Sequence, residues 1–139
     1  MKRIKIGDEA SLTKRFTAEE VQRFSHLSLD SNPLHEDGQL AANSMFRRPV
    51  VHGLFVAALI SAVLGGELPG PGTIYLSQEL SFKAPVFFND EVTARVEVLK
   101  IKPDKGIVTL ASTCHKADGT LIIEGQAVVM HPDLRSLSG

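Results

Sequence analysis

Residues Gly53 to Leu64 read Gly-Leu-Phe-Val-Ala-Ala-Leu-Ile-Ser-Ala-Val-Leu, a helix-length segment with no polar face. From Leu54 onward only Ser61 interrupts the apolar run. A helix that is apolar nearly all round needs cover on all sides. The run is too short to cross a bilayer, which takes about 20 residues, so the cover must come from protein. Gly65-Gly66 reads as its C-cap, and Leu68-Pro69-Gly70-Pro71-Gly72 as a turn cluster that separates it from the second half of the chain.

That second half supplies the wrapping. Residues 73–82 place Ile74, Leu76, Leu80 and Phe82 in alternation with polar neighbours, and residues 91–101 do the same with Val92, Ala94, Val96 and Val98. Residues 107–116 and 121–130 are joined by Ala117-Asp118-Gly119-Thr120, a hairpin signal. Connections this short favour an antiparallel sheet. Upstream, Thr17-Ala18-Glu19-Glu20 has the capping-box pattern, and Val21, Phe24 and Leu27 succeed it at helical spacing, which predicts a helix over 18–28. Pro33 ends that stretch by disfavouring the α region at Asn32, and residues 37–46 read as short helix or irregular chain. The expected class is α+β, with a curved antiparallel sheet folded around one long central helix.

The 139 residues suit one domain, 1–139, and the 43% of apolar residues can fill a core without disulfide or metal. With 15 Lys+Arg against 16 Asp+Glu the net charge is −1, which argues against a basic nucleic-acid or membrane-surface binder. The single cysteine, Cys114, excludes a disulfide framework and a multi-cysteine zinc site. It shares a strand face with Val108 and Leu110, as a small buried hydrophobe would. The N-terminus turns acidic before any apolar stretch develops, so a cytoplasmic protein without a secretory signal is expected.

Two segments concentrate chemistry. Asp30-Ser31-Asn32-Pro33-Leu34-His35 sets a carboxylate and an imidazole five residues apart on a stretch stiffened by Pro33. General acid–base chemistry on one water needs two such groups within reach of one oxygen; alternatively Asp30 decorates a helix end and His35 is an ordinary loop histidine. Val50-Val51-His52-Gly53 opens the buried helix, where unpaired amides favour a developing negative charge and Gly53 admits close approach. The plainer reading is that Gly53 eases entry into the helix and His52 caps it. Ser61 either bonds back along its own helix or, with Ala57, Ala58 and Ala62, lines a slot for a ligand or a neighbouring backbone. A metal triad of His26, Asp30 and His35 matches no known ligand spacing.

Taken in order, Asp30-Ser31-Asn32-Pro33-Leu34-His35, Pro49-Val50-Val51-His52-Gly53, Pro69-Gly70-Pro71-Gly72 and Ser77-Gln78-Glu79-Leu80-Ser81-Phe82 resemble the MaoC-like hydratases. Within that family the chain is similar to the short, single-domain (R)-specific enoyl-CoA hydratases, over about Ile6 to Met130. The resemblance implies the hot-dog fold and a homodimer with its acyl-thioester tunnel near the interface. It also implies reversible addition of water to a trans-2-enoyl-CoA, giving the (R)-3-hydroxyacyl-CoA. No metal or redox cofactor is implied, because coenzyme A enters as part of the substrate; neither nucleic acid nor membrane is an implied partner. Asp30 and His35 would hold and activate the water, and the Gly53 amide would stabilise the enolate oxygen. Asn32, His52, Ser61 and Leu64 would stand around the substrate. A carrier-protein dehydratase would use the same residues. A hot-dog thioesterase places a carboxylate on the central helix, and residues 54–64 contain none. A non-catalytic acyl-CoA-binding module would have no use for both Asp30 and His35.

Overall fold

In the computed structural model, which describes residues 3–137, the apolar segment becomes helix α3, Gly53–Gly66, preceded by α1, Ala18–Ser28, and a single turn α2, Gln39–Ala42. Five strands take the expected places with one addition: β1 Glu9–Arg15, β2 Ile74–Phe82, β3 Glu91–Lys102, β4 Ile107–Lys116 and β5 Leu121–Met130. They form one antiparallel sheet in the order β1-β3-β4-β5-β2. The inward faces of β3 and β4 carry Val92, Ala94, Val96, Val98, Val108, Leu110 and Cys114, all fully buried. They meet Val56, Leu59, Ile60, Val63 and Leu64 of α3. Each such Val, Leu or Ile withdrawn from water contributes roughly 1.5–3 kcal/mol, so this seam holds the helix. Burial pushes the Cys114 thiol up to about 12.

Helix α1 starts as expected. Thr17 Oγ1 accepts from the Glu20 amide at 3.2 Å, and Glu20 Oε1 accepts from the Thr17 amide at 3.3 Å. Where β5 meets β2 the backbones come close at Gly125. A Cβ there would lie 1.8 Å from the Glu79 carbonyl oxygen, so no other residue fits without parting the strands.

Three expectations change. The helix runs on through Gly65 and Gly66 and is capped at Glu67, whose amide donates to the Val63 carbonyl at 2.9 Å. The alternation of β2 is broken by a bulge between Tyr75 and Ser77, and Ile74, Leu76 and Phe82 are substantially exposed. Burial of α3 on all sides also fails within one chain. The five strands curl round one side only, leaving Leu54 66% exposed and Ala58, Ser61 and Ala62 facing outward. No helix among the described residues is long and apolar enough to cross a membrane.

Candidate active site

The segment after α1 is fixed by its own short side chains. Leu29 takes a left-handed turn, φ 65°, and starts the chain back toward the sheet. Asp30 Oδ1 accepts from the Asn32 amide at 3.3 Å, and Asn32 Oδ1 accepts from the Leu34 amide at 3.1 Å, so Pro33–His35 forms a tight 3₁₀ turn. Two bonds then fasten this turn to the strand-like approach to α3. The Val50 amide donates to the Leu34 carbonyl at 3.1 Å, and His35 Nδ1 lies 2.7 Å from the Val50 carbonyl. A carbonyl can only accept, so Nδ1 carries a proton, and in the neutral ring the lone pair is on Nε2.

His52 sits behind His35. The two rings stack with centroids 3.7 Å apart and planes 23° from parallel. Nε2 of His52 lies 3.2 Å from the Asp30 carbonyl and 3.0 Å from Ser25 Oγ, tying α1, the Asp30 turn and α3 together. By the same logic Nε2 carries the His52 proton, and Nδ1 is buried with no hydrogen-bond partner among the described residues. Burial holds this imidazole below the usual histidine range, and repulsion from His35 adds to the effect against the opposing pull of the Asp30 carbonyl and carboxylate.

That depressed value has a thermodynamic consequence. Unfolded, His52 takes up a proton near its ordinary pKa of about 6.5, whereas folded it does so only at lower pH. Between those two values the unfolded chain binds more protons, so stability rises with pH there and is lost as pH falls below about 6.5. The His52 contribution has a slope of at most about 1.4 kcal/mol per pH unit. Urea unfolding across the interval from neutral pH to pH ~5 should therefore show a shallower pH dependence for His52→Gln than for the wild type. Equal dependences would refute the neutral buried imidazole.

Asp30, His35, His52 and Gly53 all border one cavity of about 590 Å³, whose remaining wall is mostly apolar and includes Phe46, Val86 and Ile123. Ligating atoms of Asp30, His35 and His52 lie within 4.8 Å of one another. A water that hydrogen-bonds two groups at ~2.8 Å each, at its tetrahedral angle, bridges partners about 4.6 Å apart, a span inside the limit within which these groups lie. A metal would find less. With both His52 nitrogens committed or sealed, Nε2 of His35 and the Asp30 carboxylate remain, where a zinc centre takes three or more protein donors.

Gly53 is the first residue of α3, so its amide has no intrahelical acceptor. A Cβ at this position would stand 2.7 Å from Cε1 of Phe82, whose ring lies over the glycine and borders the cavity. Nothing in the sequence marks Phe82 for this role, nor Ser25 as the partner of a histidine 27 residues away. Among the residues named from sequence, Asn32 shapes the turn without bordering the cavity. Ser61 lies on the outward side of α3, about 12 Å along the axis from Gly53, and Leu64 is buried in the core; neither borders the cavity. His26 is exposed on α1 and stands apart from the three clustered groups.

The pattern of the MaoC like domain matches residues 3–118. An (R)-specific enoyl-CoA hydratase of Aeromonas caviae is 51% identical over 129 residues, covering 93% of this chain and 96% of that protein. One from Rhodospirillum rubrum is 46% identical, covering 93% and 89%. The solved structure of an (R)-hydratase from A. caviae involved in PHA biosynthesis superposes with a TM-score of 0.90 at 50% identity, covering 95% of this chain and all of that one.

Proposed function

From the premise that the chain belongs to the MaoC-like family and has its hot-dog fold, we propose that it adds water to trans-2-enoyl-CoA, giving (R)-3-hydroxyacyl-CoA. It is a hydro-lyase, as its relatives are. The observation that carries the finer reading is the pair, Asp30 carboxylate and His35, within 4.8 Å of each other and bordering the same mostly apolar cavity as Gly53, the first residue of α3.

The chemistry stems from that arrangement. A water held between the pair gives one hydrogen bond to the Asp30 carboxylate and the other to the bare Nε2 of His35. As its oxygen bonds to C3, the C2=C3 π pair moves toward the thioester and negative charge gathers on the carbonyl oxygen. The Gly53 amide, pointing from the positive end of α3, stabilises that charge. The proton lost by water passes to the pair, and the pair returns a proton to C2, so the sum is water across the double bond. The reaction draws on no metal or redox group, and coenzyme A arrives with the substrate. Dehydration of a 3-hydroxyacyl thioester is the same path reversed.

The reading extends to a cytoplasmic homodimer. Strand β2 is an edge with Ile74, Tyr75 and Leu76 exposed, and the outward side of α3 adds Leu54. Edges and apolar faces of this kind are ordinarily covered. The decisive experiment supplies trans-2-enoyl-CoAs of increasing chain length and resolves the product's configuration by chiral chromatography. Formation of the (R)-alcohol is expected. An (S) product, or no turnover of any chain length, would overturn the proposal.

A further inference from the structure

We propose that Lys83, assisted by Arg48, recognises the phosphate groups of the substrate's carrier arm; this rests on the hydratase reading and says which end of the site the coenzyme enters. Among the described residues Lys83 is the one permanent cation on the cavity wall, the other titratable groups there being Asp30, His35 and His52. Its backbone is pinned, the amide donating to the Ile122 carbonyl at 2.7 Å. Its side chain is 48% exposed, so the ammonium is open to solvent, while the cavity wall to which the residue belongs is otherwise mostly apolar. The acid facing it is Glu124, 3.6 Å away and equally exposed. A solvent-screened pair of this kind is weak and leaves the ammonium available to a phosphate.

Arg48 is held by a different contact, to a ring whose backbone neighbours border the cavity. Its guanidinium lies 3.5 Å from the ring centroid of Phe87, which comes directly after the cavity residue Val86 and bridges to the cavity residue Val50. Stacking fixes the guanidinium plane and leaves its edge donors free for a bidentate oxyanion. Among the described residues no carboxylate lies within ion-pair distance of Arg48. On the same ring Lys116 stands 4.9 Å from the centroid, but it is paired with Asp90 at 3.1 Å.

Other cations are placed elsewhere. Lys105 sits in the turn beyond Lys102↔Ile107, whereas the cavity residue Ile123 pairs with Cys114 near the opposite end of β4. Seven residues of strand separate those positions, about 23 Å. Arg47 has no side-chain contact among the described residues that would hold it at the rim.

The test compares crotonyl-CoA, its 3′-dephospho form and crotonyl-pantetheine, which differ in the phosphate-bearing part of the arm. Lys83→Ala and Arg48→Ala should each cut the preference of kcat/KM for the coenzyme A thioester over the pantetheine thioester by about tenfold, as one lost charge-assisted bond to phosphate would. Lys83→Glu should cut it further, and Glu124→Gln should raise it. A loss confined to the 3′-phosphate would identify coenzyme A as the source, and a loss shared by the dephospho form would assign the arm's inner phosphates. A preference equal to the wild type's in all variants would overturn the proposal. Should the wild type hydrate none of these thioesters, the hydratase reading fails and titration with free coenzyme A decides the phosphate site on its own. Weaker binding by Lys83→Glu supports it, and unchanged binding sinks it.

Discussion

Asp30→Asn and His35→Asn should each lower kcat for crotonyl-CoA hydration by about 10²–10⁴-fold, the span that a positioned acid or base contributes. The two substitutions are chosen so that geometry survives. An asparagine at 30 still offers an oxygen to the Asn32 amide, the bond that shapes the turn. An asparagine at 35 still offers an N–H to the Val50 carbonyl, which His35 Nδ1 now serves. What each variant lacks is the ability to take up a proton. Loss of enoyl absorbance gives the rate, and thermal unfolding with gel filtration reports whether fold and assembly are intact. If either variant kept more than a tenth of the wild-type rate while folded, the water-activating pair would be wrongly assigned.

The second large effect concerns the Gly53 amide, and the Phe82 ring supplies the means to isolate it. Helix propensity alone favours alanine over glycine by about 1 kcal/mol, yet a Cβ at 53 would strike Phe82. That ring is 53% exposed and can swing aside, so Gly53→Ala should fold but lose turnover because the displaced ring crowds the cavity. Removing Phe82 to alanine clears the space. In that background Gly53→Ala keeps the N–H, whereas Gly53→Pro deletes it at the first helical position, where proline is well tolerated. His52 already has φ −56° and ψ 132°, the conformation a residue before proline prefers. Between the two double variants kcat should differ by about 10²–10³-fold, the cost of one oxyanion donor. Equal rates would remove Gly53 from the mechanism and leave the fold untouched.

Much of this arrangement is legible in the chain, for local reasons. The capping box at Thr17, the alternation in β3 and β4 and the turn at Asp118-Gly119 each act over a few residues, and each element forms where those signals lie. Strand β1 escapes such a reading. It is an edge, bonded on one side only, and its inward alternation amounts to Ala10 and Leu12 between charged or polar neighbours. The end of α3 is easily misplaced because Gly65 and Gly66 look like a stop, yet both lie on open ground where nothing forces the chain to turn.

The site divides in the same way. Asp30, Asn32 and His35 are linked by bonds between near neighbours, so their motif predicts their geometry. The stacking of His52 on His35, its bond to Ser25 and the placement of Phe82 over Gly53 all join residues distant in sequence. Only the packing of α1, α3 and β2 brings them together.

The core position of Cys114 has a practical side. A thiol with a pKa near 12 and no exposed surface is almost wholly protonated at neutral pH and out of reach of maleimides or iodoacetamides. As the chain's sole cysteine, it makes the native protein a blank background for thiol-directed probes. A cysteine introduced at the cavity rim would carry a fluorophore at one site only, and substrate entry could be tracked without first stripping the protein of its own sulfur.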